Sequence, residues 1–177
     1  MGLEEFATWL QATPFSVAIQ STAWVVPVLQ SVHILMIGVV FISVLVIALR
    51  VLGWVRDDEA FAAVWARFAP FMWWGLAVMA ATGVLLTLSE PLRELMTLSF
   101  RLKLLLLVVG IGSAALFGRR MRRVALAATP ATFSAGTRAA AIGTVVLWLA
   151  VIFLGRAIAY DDAIWGSWSP AVLQGTP

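Results

Sequence analysis

The sequence predicts an all-α polytopic membrane protein, an antiparallel four-helix transmembrane bundle with short interfacial helices. Three observations predict it. Of 177 residues, 62% are hydrophobic and only 12% charged, whereas a soluble domain has roughly 45–50% and ~25%. The apolar residues gather into four runs, each near the ~20 residues that cross a bilayer core. Backbone groups in lipid must find their partners within the segment, so these runs are helices, and short connections make successive ones antiparallel.

The elements follow in order. Gly2-Leu3-Glu4-Glu5 is acidic where a secretory signal is basic, so the N-terminus is expected to be retained. An interfacial helix is expected over 3–11, broken at Pro14, lying on the membrane surface. The first span is read over 24–49. Asp57-Asp58-Glu59 then start a second interfacial helix over 57–68, whose Phe61, Val64, Trp65 and Phe68 share one face. Pro70 opens the second span, 71–88, with Phe71-Met72-Trp73-Trp74 at headgroup depth. Ser89 and Ser99 are expected to cap a short connecting helix and the third span, which is read over 102–117 and is extendable both ways. Thr129-Pro130 reads as a turn before the fourth span, 139–158. Trp9, Trp24, Tyr160, Trp165 and Trp168 supply the opposite aromatic belt. Gly75, Gly83, Gly110, Ala114, Gly143 and Ala150 are expected at close helix contacts. All of 1–177 is thus a single membrane domain.

Charge gives an orientation. The connections after spans one and three carry eight of the twelve basic residues, including Arg50, Arg56, Arg67 and Arg119 to Arg123. Their net charge is +5, against −2 on the other side. The positive-inside rule places the +5 side in the cytoplasm and both termini on the outer, periplasmic side of a bacterial inner membrane. Because the basic residues punctuate apolar runs, they are no nucleic-acid patch, and the expected partner is the lipid bilayer.

Zero cysteine excludes disulfides, thiolate metal sites, iron–sulfur clusters and Cys nucleophiles. With one histidine and no acid inside a span, Ser-His-Asp catalysis is disfavoured and an all-protein zinc site is excluded. Polar residues inside a span are functional candidates because they are costly there. His33 lies about nine residues into span one, roughly 13 Å deep. Its two readings are a core imidazole hydrogen-bonded to a hydroxyl such as Thr82, and a ligand for haem iron or another metal. Lys103, the chain's lone lysine, sits in the first turn of span three, either snorkelling outward or serving the same site. Arg50 and Arg156 mark boundaries and are candidates to hold an anionic group such as a propionate or a lipid phosphate, with Asp161 or Glu90 the expected partner of Arg156. Met36 and Met79 are candidate soft ligands beside His33, which makes a copper site the alternative metal reading.

Ser31-Val32-His33-Ile34-Leu35, Leu49-Arg50-Val51-Leu52-Gly53, Thr82-Gly83-Val84-Leu85-Leu86, Phe100-Arg101-Leu102-Lys103-Leu104 and Gly155-Arg156-Ala157-Ile158-Ala159-Tyr160 together resemble an uncharacterised four-span bacterial inner-membrane family. More distantly, the span-one histidine and span-three lysine resemble the copper-resistance D-type membrane proteins and the haem-containing bacterial protoporphyrinogen oxidase. The latter resemblance implies a b-type haem on His33 and an important role for Lys103. Having one histidine, the chain cannot supply bis-histidine ligation within a protomer, which leaves five-coordinate, His/Met, His/Lys or intersubunit ligation open. The expected function is haem b binding through His33, with Lys103, Arg50 and Arg156 around it, in membrane redox chemistry or haem handling. The alternatives are copper handling by His33, Met36 and Met79, and a non-catalytic subunit of a membrane complex. A homo-oligomer or a membrane-complex partner is the expected protein partner.

Overall fold

A computed structural model of the chain describes residues 2–125 and 133–170. The Thr129-Pro130 turn lies outside the described residues, as do the side chains of Arg120, Arg122 and Arg123. Among those described there is no strand, and four helices are long and apolar enough to cross a membrane. The protein is an all-α, multi-pass membrane protein.

Two short helices come first, α1 (Leu3–Gln11) and α2 (Pro14–Ser21). Pro14 does more than break α1, because it occupies the first turn of α2, where its missing N–H costs nothing, and Thr13 Oγ1 caps that turn by accepting from Ser16 N. The first span is α3 (Val25–Leu52). It ends because Gly53 takes the left-handed conformation at φ 78°, letting Trp54 N reach back to Leu49 O at 3.0 Å.

The second span, α4 (Phe61–Ser89), corrects the expectation of a separate interfacial helix over 57–68. The chain runs helically through Pro70, which removes one bond to the Ala66 carbonyl. Buried Phe61, Val64 and Ala69 before the proline and Met72, Leu76 and Met79 after it keep both halves on one packed face. Asp57-Asp58-Glu59 lies in the preceding turn rather than opening the helix.

A short helix α5 (Pro91–Met96) leads to the third span, α6 (Leu98–Ala125), whose stretch suited to a membrane is Leu98–Arg119. The fourth span is α7 (Ala135–Ala157), capped by Ser134 Oγ, which accepts from Thr137 N at 3.3 Å. A 3-10 turn (Ile158–Tyr160), α8 (Asp161–Trp165) and a second 3-10 turn (Gly166–Trp168) complete the described chain.

α3 is the hub of the bundle. It packs along α4 and also on α7, α7 packs on α6, and α4 meets α6 along a much thinner seam. The core has two parts. Val40, Val44, Met72, Leu76, Met79 and Trp148 form the middle cluster. Ile47, Val51 and Phe61 form the second, sealed by edge contacts of Phe61 with Phe117 at 5.9 Å and Phe133 at 5.1 Å. At Gly75 an added Cβ would come within 2.7 Å of Val40 Cγ2, so α3 and α4 approach as closely as they do because that position has no side chain. Gly110 does the same against Leu147 at 2.9 Å. Gly143, expected at a contact, faces open space.

Candidate functional site

In the half of the bundle nearest α5, His33 on α3 pairs with Thr82 on α4, with Nδ1 and Oγ1 2.8 Å apart. Thr82 is buried and its hydroxyl is also 2.8 Å from the Val78 carbonyl of its own helix. Ser31, Ser43, Thr87, Ser113 and Thr144 each donate to a carbonyl three or four residues back. Of these six span hydroxyls, only Thr82 reaches another helix.

Gly83 lies beside the imidazole, where an added Cβ would meet His33 Cε1 at 3.4 Å, an ordinary van der Waals distance. Sequence reading found Thr82 as a partner but gave Gly83 only a general packing role.

Lys103, on the first turns of α6, lies against α7. Its Nζ is 3.6 Å from where a Gly155 Cβ would stand. Among the described residues this ammonium makes no hydrogen bond or ion pair, but it is within electrostatic reach of His33 on one side and Glu94 on the other. Glu94, in α5, was not singled out from sequence because it lies outside every span. Burial holds its carboxyl above the ordinary carboxylate range, against an opposing pull from Lys103 and Arg93.

The remaining candidates separate into different places. Arg50 sits 17 residues beyond His33, about 25 Å along the helix. Its guanidinium is committed to the α3–α4 turn, with Nε 3.0 Å and Nη2 2.6 Å from Glu59 O. The Glu59 carboxylate is itself paired with Arg56 and, at 3.3 Å, with Arg67. Arg50 therefore belongs to a loop clamp and not to a site with His33. Arg156 is exposed and stacks on Tyr160 at 5.9 Å. Met79 is buried in the middle core cluster and Met36 packs against it. They lie one helical turn further in than Thr82 and His33 respectively. No group of three His, Cys, Asp or Glu gathers among the described residues.

Neither acid expected beside Arg156 pairs with it, since Glu90 holds Arg93 and Asp161 has a capping role that sequence reading missed. The Asp161 carboxylate of α8 accepts from Leu98 N at 3.1 Å, Ser99 N at 2.8 Å and Ser169 Oγ at 2.6 Å. It closes the start of α6, the role assigned to Ser99 from sequence. The Ser99 hydroxyl instead accepts from Trp165 Nε1 at 2.9 Å. Ser89 likewise caps no helix start and returns its proton to Leu86 O. At the same end Ser16 Oγ donates to Leu88 O at 2.7 Å, fastening α2 to the end of α4.

Compared with protein-family models, curated proteins and solved structures, the chain matches none. The functional reading rests on the site itself.

Proposed function

We propose that this membrane protein binds b-type haem in the half of the bilayer nearest α5, through His33 as axial ligand, and acts in membrane redox chemistry or haem handling. The reading rests on how the His33–Thr82 pair orients the imidazole; the pair itself is also the one expected of a satisfied core histidine. The Thr82 hydroxyl has one proton and lies 2.8 Å from both the Val78 carbonyl and His33 Nδ1. With that proton given to the carbonyl, Nδ1 carries the ring proton and donates to Oγ1, and Nε2 keeps its lone pair. A ligating histidine held by its other nitrogen is the usual arrangement around bound metals.

The donor set suits a group that takes one protein nitrogen and does not suit bis-imidazole ligation within a protomer. Lys103 is within electrostatic reach of His33 and is the best candidate for a second ligand or a propionate partner. Arg50, spent on the turn carbonyls, is withdrawn from that role. Haem bound here would supply one-electron chemistry, while the chain's part is to hold the iron through His33, fix the ring through Thr82 and exclude water with the apolar spans.

The membrane is proposed to be a bacterial inner membrane with the Arg50 end in the cytoplasm. Arg50, Arg56 and Arg67 lie together around the α3–α4 turn, as cytoplasmic boundaries do.

Titration of haemin into the purified protein tests the reading. Saturation at one haem per protomer, lost in His33→Ala, is the expected result. The second metal reading is copper held by His33 with Met36 and Met79, which lie one turn inward of the pair and pack in the middle core cluster. Elemental analysis separates the two, because copper held by wild type and lost from His33→Ala supports the copper site and no bound copper removes it.

A further inference from the structure

A cavity of about 320 Å³ lies between the spans in the half of the bundle away from His33. A space of this size is larger than the voids of ordinary core packing. Ala48 of α3, Met72 of α4, Phe117 of α6 and Ala141 of α7 are among its walls, and no wall residue is charged. The wall hydroxyls, Ser113 and Thr144, donate to the Gly110 and Ala140 carbonyls of their own helices. The walls are unequally covered. Those from α3 are buried and so is Met72, whereas Ser113 and Leu116 of α6 and Ala140 of α7 are exposed. Leu116 lies within the membrane-suited stretch Leu98–Arg119, so the cavity opens toward lipid chains rather than water.

The same two helices carry the unspent cations of this end. Of the arginines there whose side chains are described, Arg50 is bound to the Glu59 carbonyl, and Arg56 and Arg67 to the Glu59 carboxylate. Arg119 and Arg138 are exposed, and neither side chain makes a hydrogen bond or ion pair among the described residues. Arg119 follows Leu116 by three residues and Arg138 precedes Ala141 by three, in each case about 4.5 Å along the axis. Arg119 ends the membrane-suited part of α6 and Arg138 lies in the first turn of α7, which is the depth of lipid phosphates. Guanidinium groups suit phosphate, and basic residues beside a pocket between spans hold anionic head groups.

We propose that an anionic phospholipid binds here, with an acyl chain in the cavity and its phosphate on Arg119 and Arg138. The apolar walls take the chain, the exposed rim on α6 and α7 admits it from the bilayer, and the two free arginines select a head group with net negative charge. The site is independent of the haem reading, being built from other residues in the other half of the bundle.

Native mass spectrometry of the detergent-solubilised protein tests it, with dioleoyl-phosphatidylglycerol and dioleoyl-phosphatidylcholine titrated in separate arms. Saturation at one phosphatidylglycerol per protomer is expected, with phosphatidylcholine clearly weaker. Arg119→Gln and Arg138→Gln are each expected to weaken phosphatidylglycerol binding about fivefold. Arg101→Gln, which removes the same charge at the other end of the bundle, is expected to leave it unchanged. Ala141→Leu fills the cavity and is expected to abolish saturable binding. Equal binding of the two lipids means a lipid coat without selection and overturns the proposal. So does undiminished phosphatidylglycerol binding in both Arg119→Gln and Arg138→Gln, or an equal loss in Arg101→Gln. Undiminished binding to Ala141→Leu overturns the place of the chain, and should that variant not fold, the exposed arginine variants decide alone.

Discussion

The Asp161 carboxylate and the Ser99 amide meet at 2.8 Å across 62 residues of chain. Through that contact and its companion to Leu98, α8 supplies the acceptor that the first turn of α6 needs, and a negative charge where the helix dipole is positive. The end of the bundle nearest α5 is therefore tied shut by side chains, with Ser16 fastening α2 to α4 and Asp161 fastening α8 to α6.

Asp161→Ala should be among the most damaging single substitutions outside the core. It removes the acceptor of two amides at the start of α6, a loss of about 2–4 kcal/mol. Unfolding in detergent measures it, and Ser169→Ala, which removes one donor and leaves both amide bonds, should lose markedly less. Equal stability of Asp161→Ala and the unmodified protein would contradict the cap.

The glycine contacts give a second expectation. Gly75→Ala drives a methyl into Val40 and should cost about 1–3 kcal/mol by overpacking. Gly143→Ala meets nothing within 4 Å and should be neutral or stabilising by up to about 1 kcal/mol. The same unfolding assay compares them, and reversal of that order would contradict a tight α3–α4 contact at Gly75.

Thr82→Val tests the orientation of the imidazole. It should lower stability by only about 1 kcal/mol. Haemin binding, by contrast, should weaken about 10–100-fold, as loss of a ligand's second hydrogen bond does elsewhere. Thr82→Ser should restore the wild-type affinity. Unchanged affinity in Thr82→Val would show that the hydroxyl plays no part in ligation.

Glu94 sets a pH dependence. Burial raises its folded-state pKa above the unfolded one, so the folded protein binds the proton more readily between the two values. Its contribution to stability is therefore complete below the ordinary carboxylate pKa and is lost as pH rises through the raised one. Glu94→Gln should remove that slope and leave the protein more stable than wild type above it. Unfolding measured across that pH range checks the sign.

The spans were legible because bilayer thickness dictates both their length and their apolar content, and the His33–Thr82 pairing because few hydroxyls occur at matching depth. Continuity of α4 through Pro70 was not legible. The proline punctuates the local pattern, and only the buried face shared by Val64 and Met72 carries the helix across it. Asp161 was hidden for another reason. A cap supplied from 62 residues away leaves no mark near Ser99, whose own hydroxyl made it the natural local candidate. Arg50 misled in the same way, since a boundary arginine looks free until the Glu59 carbonyl is found under it.

The central claim is that His33 is a haem ligand, and the visible absorption spectrum of the protein as purified from its membrane tests it most directly. The account predicts a Soret band in wild type that disappears or shifts in His33→Ala. A wild-type spectrum without a Soret band, or a band identical in the two proteins, would contradict it.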